Sequence, residues 1–422
     1  MNDFLKELKW RNMIHDTTPG IEEHLRTGVR TAYIGFDPTA PSLTIGNYVQ
    51  IMLLKLFQRA GHRPIVLMGG ATGRIGDPSG KDKERQLKSY KELDNNLNAQ
   101  MLQMEKLLDF EGKNKAVMVN NYDFYKEMNI LDFLRDVGKN LTVNYMLSKE
   151  SVKKRLGSGL SFTEFSYQLL QANDFLQLYK MNNCTIQMGG SDQWGNITSG
   201  TEFIRRNNSS NKAFAITTPL LTKADGSKFG KSEQGNVWLD PKLTSPYRFY
   251  QFWINANDAD IPTYTRYFTL KTREKVEEME ADGDLREMKS ALAEEITSRI
   301  HGKDTFENVL KVSELLFGRS IKADTIGGLN KKVWDMVAGE IPKFKISSDT
   351  ISSSSIDNIL TEVAPVFKSK SELRRAIKGN ALAVNKTKIS TPEHLLEASN
   401  ILDGGYVLIE NGKKNKFILK VD

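Results

Sequence analysis

Cysteine is nearly absent from this 422-residue chain: Cys184 stands alone, so no internal disulfide can form and a disulfide-stapled fold is excluded. It lies in the apolar run Cys184-Thr185-Ile186-Gln187-Met188, which reads as a buried strand carrying an inert core thiol. Histidine is scarce too. His15, His24, His62, His301 and His394 never approach the paired spacing of a zinc site, so no protein-bound metal is expected. No apolar run nears the roughly 20 residues of a membrane-spanning helix, which predicts a soluble chain with no membrane partner. The stretch Met1 to Trp10 sets Asp3 and Glu7 beside Lys6 and Lys9, a mixture unlike a secretory signal or an Arg-rich transit peptide, and a cytoplasmic protein is expected. A Walker phosphate loop is also missing. The cation-rich stretch Asp77-Pro78-Ser79-Gly80-Lys81-Asp82-Lys83-Glu84-Arg85 has no Lys-Ser or Lys-Thr pair after suitably spaced glycines.

What remains is an ordinary globular composition, 39% hydrophobic and 26% charged, in a chain long enough for two or three domains. The formal charge of +7 is unevenly placed. From Val366 to Asp422 there are eleven Lys or Arg against six Asp or Glu, a surplus of five, so a phosphate-rich partner is expected to dock there.

The first half alternates apolar strand-like runs with amphipathic helical stretches, the pattern of a parallel sheet covered by helices. Strands are expected at Thr31 to Phe36, Pro64 to Met68, Ala116 to Val119 and Cys184 to Met188. Asn47 to Ala60 carries a helical stripe of Val49, Met52, Leu53, Leu56 and Phe57, ended by Gly61. Gly-, Asp- and Ser-rich loops follow the strand ends, where open parallel sheets bind ligands. From about Ser245 the texture changes to long charged helices, with the stretch Arg273 to Gly302 expected to be helical. Ser347 to Ser355 reads as a linker. Beyond it, Ser369 to Ile377 reads as a capped helix, and Ala381 to Ile389 and Tyr406 to Glu410 as strands. The fold class is α/β: a Rossmann-like parallel-sheet domain over 1–244, an all-α domain over 245–346, and a linker with a small α+β domain over 347–422.

Three separated segments carry the chemistry. From Tyr33 to Asn47 a strand passes through a turn into a helix start at Thr44-Ile45-Gly46-Asn47. Backbone N–H groups there suit an anion, and glycine at 46 admits a flat ring or a phosphate; a plain helix cap would read the same way. Lys228-Phe229-Gly230-Lys231-Ser232, after Thr222-Lys223-Ala224-Asp225-Gly226-Ser227, sets two lysines about a glycine hinge. Such a loop can fold over a triphosphate and neutralise charge on a departing pyrophosphate, although lysine-rich surface loops are common. Asp77 to Arg85 adds further cations. Together they describe phosphate chemistry without a Walker motif.

Over nearly its whole length the sequence resembles the bacterial-type tyrosyl-tRNA synthetases, which are class I aminoacyl-tRNA synthetases. Residues 44 to 47 stand where His-Ile-Gly-His is usual, and 228 to 232 where Lys-Met-Ser-Lys-Ser or Lys-Phe-Gly-Lys-Ser is usual. Gly189-Gly190-Ser191-Asp192-Gln193-Trp194-Gly195-Asn196 and Phe165-Ser166-Tyr167-Gln168-Leu169-Leu170-Gln171-Ala172-Asn173-Asp174 are further marks of the family.

The resemblance implies a tyrosine–tRNA ligase whose partners are L-tyrosine, ATP and tRNA(Tyr). Tyr33 and Asp174 would hydrogen-bond the substrate's phenol. A pocket built to pair a hydroxyl rejects the analogue that lacks it, and tyrosine-specific synthetases are themselves the standing illustration of that rule. Asp77, Tyr167 and Gln171 would hold the α-ammonium. Gly35, Asp37, Gly46 and Asp192 would meet the nucleotide, with Gln193 beside the reacting carboxylate; a helix cap at Ser191 or Asp192 is the plainer reading of that turn. Thr39, Thr44, Asn47, Lys81, Arg85, Lys228, Lys231 and Ser232 would form the catalytic set on the pyrophosphate side, with Mg2+ entering as part of the ATP complex. The loop 222–236 would be the mobile catalytic loop. The family also implies a homodimer through an insertion at about 120–159, an anticodon-recognising α-helical domain over 245–346, and a C-terminal RNA-binding domain. In that domain Arg374, Arg375, Lys378, Lys386 and Lys388 would meet the tRNA backbone, where a solvated basic face is the plainer alternative. The sequence departs from the family at Thr44, which replaces the first signature histidine; the alternative this opens is an activation-impaired RNA-binding paralogue.

Overall fold

The structure, a computed structural model, describes residues 3–79, 86–157, 159–232, 235–318 and 323–422. The chain divides into two compact units, one of Met1–Thr244 with Phe252–Ile300 and the other of Ser245–Gln251 with His301–Asp422.

The first unit is built on a six-stranded sheet of β1 (Asp16–Thr17), β2 (Thr31–Phe36), β3 (Arg63–Met68), β4 (Val117–Asn120), β5 (Cys184–Gly190) and β6 (Phe214–Thr218), in the order β1-β6-β5-β2-β3-β4. Every pairing is parallel except that of β1, a short antiparallel edge on β6. The central strands are apolar at successive positions because helices cover both faces; β5 is buried at all seven residues. The chain runs outward from β2 through β3 to β4, then crosses to the other side of β2 to lay down β5. That reversal opens a crevice at the carboxyl ends of β2 and β5.

Four helices frame the crevice: α1 (Ile45–Arg59), α2 (Tyr122–Tyr125), α3 (Phe162–Asn182) and α4 (Trp194–Asn207). Helix α1 starts where Thr44 and Asn47 cap each other and stops before Gly61, whose φ of 93° only glycine adopts readily. Helix α3 is capped by Ser161, which accepts from the Glu164 N–H, and is left by Asn183 in a left-handed conformation. Along α3, Tyr167, Gln171 and Asp174 recur at four- and three-residue steps, so all three line the cavity on one face.

The four strands expected in the first half are present within two residues, and β1 and β6 add to them; the strand expected over Ala381 to Ile389 is instead two, Leu382–Val384 and Thr387–Lys388, paired antiparallel. The stretch Arg273 to Gly302, expected to be helical, forms two helices, Arg273–Asp282 and Leu285–His301, parted by Gly283 at φ 69°. The helices over 252–300, grouped from the sequence with an all-α domain, lie in the first unit. Among them α5 (Ile261–Phe268) has its carboxyl end fixed by two arginines: Arg11 donates to the Thr269 carbonyl at 2.9 Å and Arg299 to that of Phe268 at 2.7 Å.

The second unit contains a five-stranded sheet of β9 (Lys343–Ile346), β10 (Leu382–Val384), β11 (Thr387–Lys388), β12 (Tyr406–Asn411) and β13 (Asn415–Val421), in the order β11-β10-β12-β13-β9. Helix α6 (Lys370–Lys378) is capped by Ser369 and sends Leu373 into the core. The serine-rich segment expected as a linker forms a helix, Ser348–Ser353, capped by Ser347. Ile346, Ile351 and Ile356 place it in the core, which is why it does not behave as loose chain.

Candidate active site

The crevice of the first unit is a cavity of about 840 Å³ running from the buried face of β2 to the lysine-bearing segment 228–231. Its closed end is a hydrogen-bonded polar cluster inside an apolar wall. Tyr33, on β2, is 1% exposed and its hydroxyl has no hydrogen-bond partner among the described residues. Asp174, also 1% exposed, accepts from the Asn121 amide (2.9 Å) on Oδ2 and the Tyr125 hydroxyl (2.7 Å) on Oδ1. Asn121 is fixed in turn: its Nδ2 also donates to Thr72 Oγ1 at 3.0 Å and its Oδ1 accepts from the Ala71 N–H at 2.7 Å. Burial pushes the Asp174 carboxyl up to about 7; the Asn121 and Tyr125 bonds oppose that rise, and the charge of Asp37 adds to it.

The middle of the cavity is a carboxylate relay. Asp37 accepts from Tyr167 on Oδ2 at 2.9 Å and from Thr72 on Oδ1 at 2.6 Å. A Cβ at Gly69 would fall 2.0 Å from Asp37 Oδ1, so only glycine lets the β3 loop pass there. Asp77 accepts from Gln193 at 2.6 Å and from Asn196 at 3.4 Å, and its Oδ1 caps the Ser79 N–H at 2.9 Å. Gln171 reaches Gln193 at 3.5 Å through Nε2, and its Oε1 has no partner among the described residues. Desolvation at the cavity wall, then the charge of Asp77, raises the Asp192 carboxyl.

The open end is polar and exposed. Thr44 donates to Asn47 Oδ1 through both its N–H (3.0 Å) and its hydroxyl (2.8 Å), while its Oγ1 accepts from the Asn47 N–H at 3.3 Å. Two donors on one oxygen fix the orientation of that amide and turn Nδ2 outward. Gly230, at φ 88°, lies against the start of α1: a Cβ there would come within 3.2 Å of the Gly46 nitrogen. Phe229 anchors the loop among Phe252, Trp253, Tyr264 and Phe268. Lys228 and Lys231 stay exposed on the cavity rim, and Lys223 donates to the Lys231 carbonyl at 2.9 Å.

The cavity therefore gathers Tyr33, Gly35, Asp37, Thr39, Thr44, Gly46, Asn47, Asp77, Tyr167, Gln171, Asp174, Asp192, Gln193, Lys228 and Lys231. Ser232 is not among its lining residues and donates to the Gly235 carbonyl at 3.2 Å, in the ladder of β7 (Lys231–Ser232) and β8 (Gly235–Asn236). Lys81 and Arg85 lie outside the described residues. Thr72, Asn121, Tyr125 and Asn196 were missed by the sequence reading. Asn121 follows the carboxyl end of β4, and that position alone could have flagged it. In the second unit Arg374, Arg375, Lys378 and Lys388 are exposed. Lys386 instead pairs with Glu410 at 2.7 Å, at 15% and 10% side-chain exposure, so its charge is spent inside the fold.

The family profile described as tRNA synthetases class I (W and Y) matches residues 26–318, and that of the tyrosine–tRNA ligase SYY-like C-terminal domain matches residues 335–419. A tyrosine–tRNA ligase from Cytophaga hutchinsonii is 51% identical over the full length of both chains, and one from Flavobacterium johnsoniae is 50% identical, also over the full length of both. The crystal structure of a C-terminally truncated mitochondrial tyrosyl-tRNA synthetase from Aspergillus nidulans superposes with a TM-score of 0.67 at 30% identity, covering 75% of this chain and 95% of that one. Nothing among these relatives favours the reading of Thr44 as the mark of an activation-impaired paralogue.

Proposed function

The chain belongs to the class I tRNA synthetases of the tryptophan and tyrosine group, and we propose the following division of labour among its residues for the activity of a tyrosine–tRNA ligase. L-Tyrosine and ATP give tyrosyl-adenylate and pyrophosphate, and the tyrosyl group then passes to the 3′ end of tRNA(Tyr). One observation carries the assignment: the unpartnered Tyr33 hydroxyl and the Asp174 carboxylate meet at the closed end of a cavity whose other end carries Lys228 and Lys231.

A substrate phenol entering that end donates its proton to Asp174 and accepts from Tyr33, which gives the buried hydroxyl a partner. One ring length away, three acceptors converge on the α-ammonium: the Asp77 carboxylate, the Gln171 Oε1, and the Tyr167 oxygen, whose own proton goes to Asp37. Gln193 turns Asp77 toward the substrate and lies beside its carboxylate. Gly35, Asp37, Gly46 and Asp192 receive the nucleotide.

Tyrosine's carboxylate oxygen attacks the α-phosphorus, and the bond to the β-phosphate oxygen breaks. No covalent enzyme intermediate is needed, so rate comes from positioning and charge stabilisation. Lys228 and Lys231 neutralise the departing pyrophosphate, joined by Thr39, Lys81, Arg85, the outward amide of Asn47 and, from the loop, Ser232. Thr44 acts by fixing Asn47. Magnesium would enter carried by the ATP phosphates and water.

The exposed face of α6 and Lys388 meets the tRNA backbone, with the helices over 245–346 reading the anticodon. The protein acts in the cytoplasm as a homodimer through the segment about 120–159. Exposed Ile130, Leu131 and Val143 support that surface, and no described helix is long and apolar enough to cross a membrane. The test is tyrosine-dependent exchange of labelled pyrophosphate into ATP. Exchange above background is expected; tyrosine binding without exchange would overturn the assignment.

A further inference from the structure

We propose that Tyr125 is a specificity-determining positioning residue: its hydroxyl holds Asp174 in the form and orientation that accepts a phenol. The inference rests on the tyrosine-binding reading of the closed end. The oxygen of Tyr125 lies within hydrogen-bond reach of three groups. Asn173 Nδ2 donates to it at 3.2 Å, while Asp174 Oδ1 stands at 2.7 Å and the Leu170 carbonyl at 2.9 Å.

Because Asn173 fills the accepting side, the single hydroxyl proton must choose between the carboxylate and the carbonyl. An ionised Asp174 wins it, since a charged acceptor makes the stronger bond. A protonated Asp174 competes poorly, and the proton swings to Leu170. The Tyr125 bond therefore favours one protonation state of Asp174. Asn121, donating on the other oxygen, leaves the carboxylate no freedom to rotate.

The titratable groups around Asp174 come from several elements. Tyr33 projects from β2 and Asp37 follows it; Tyr125 ends α2, and Tyr167 lies two turns back along α3. Asp37 opposes ionisation of Asp174, and the bonds from Tyr125 and Asn121 favour it. Tyr125 belongs to neither the sheet nor α3. It enters from the insertion that follows β4, so this segment contributes a side chain to amino-acid selection.

The experiment is Tyr125→Phe in the full-length protein, with tyrosine-dependent pyrophosphate exchange measured from pH 6 to 9. The ring contacts with Phe124 and Phe133 are kept by phenylalanine. At pH 7 the KM for tyrosine is expected to rise about tenfold, the value of one hydrogen bond to a charged group, while kcat at saturating tyrosine stays near wild type. The acid limb of kcat/KM moves to higher pH, so the defect shrinks toward pH 9. Should the variant fold poorly, Asn173→Ala, which removes the donor behind the Tyr125 oxygen, is expected to move the limb the same way by less. An acid limb unchanged in both variants overturns the role of Tyr125 and leaves the tyrosine reading intact. Absence of tyrosine-dependent exchange in the wild type overturns both.

Discussion

The two ends of the cavity are built on opposite plans. At the phenol end the polar groups are buried and held by named partners, with Asp174 fixed from both sides and Tyr33 left waiting. At the phosphate end Lys228 and Lys231 stand exposed, Lys231 on a two-stranded ladder, and order comes from the apolar anchor of Phe229 between them. The contrast follows from the ligands. A single hydroxyl is told apart from a hydrogen only by groups that cannot relax or find water, whereas a triphosphate brings enough charge to organise flexible cations around itself. In the proposed division of labour, buried and partnered groups decide selectivity, and exposed cations meet the leaving group.

Asp174→Ala should break the comparison most severely. Removing the acceptor leaves nothing to favour a phenol, and the preference for tyrosine over phenylalanine in pyrophosphate exchange should fall about 100-fold. A preserved preference would place selectivity elsewhere in the cavity.

The same residue exposes the cost of rigidity. Its carboxyl sits at about 7 in the folded protein against 3.8 in an unfolded chain. As pH rises from about 4 to about 7, the unfolded state releases the proton first, so folding stability falls across that window by on the order of a few kcal/mol. Chemical denaturation of the ligand-free protein from pH 4 to 8 should show that decline, and Asp174→Asn should lose it. A parallel pH dependence in the two proteins would mean that Asp174 is not strained by its burial.

On α6, where Arg374 and Arg375 are exposed, Arg374→Ala and Arg375→Ala should each weaken tRNA binding uniformly and lower the salt slope by about 1. An unchanged slope would leave them as a solvated face. The smallest effect is expected at Thr44→His. The threonine hydroxyl is committed to Asn47, so a longer donor should speed activation by about tenfold or less, in the range of a single hydrogen bond. No gain in single-turnover adenylate formation would mean that another group already serves the phosphate.

Much of the frame was legible without coordinates because its signals are local. Continuous apolar runs marked β2 to β5, glycine-rich turns marked their carboxyl ends, and the four-residue step from Tyr167 to Gln171 placed both on one helix face. The helix start at Thr44 carries the cap that was its plainer reading, legible because the partner is three residues away. What escaped was pairing at a distance. Asn121 and Asp174 lie 53 positions apart, and Tyr167 and Asp37 lie 130 apart; neither partner carries any mark of the other in its own neighbourhood. Lys386 illustrates the same limit, because the sequence shows a lysine beside other cations while Glu410, which takes its charge, sits on another strand. The serine-rich stretch misled for a related reason. Serine suits both loose linkers and helix caps, and only the spacing of Ile346, Ile351 and Ile356 against a core decides between them.

The division of the cavity into two independent ends is tested most directly by tyrosine affinity measured calorimetrically without ATP, in Lys231→Ala and Asp174→Ala side by side. Lys231→Ala should bind tyrosine within about twofold of wild type, as expected for sites that share no partner, whereas Asp174→Ala should lose most of its affinity. Equal loss in the two variants would contradict the account.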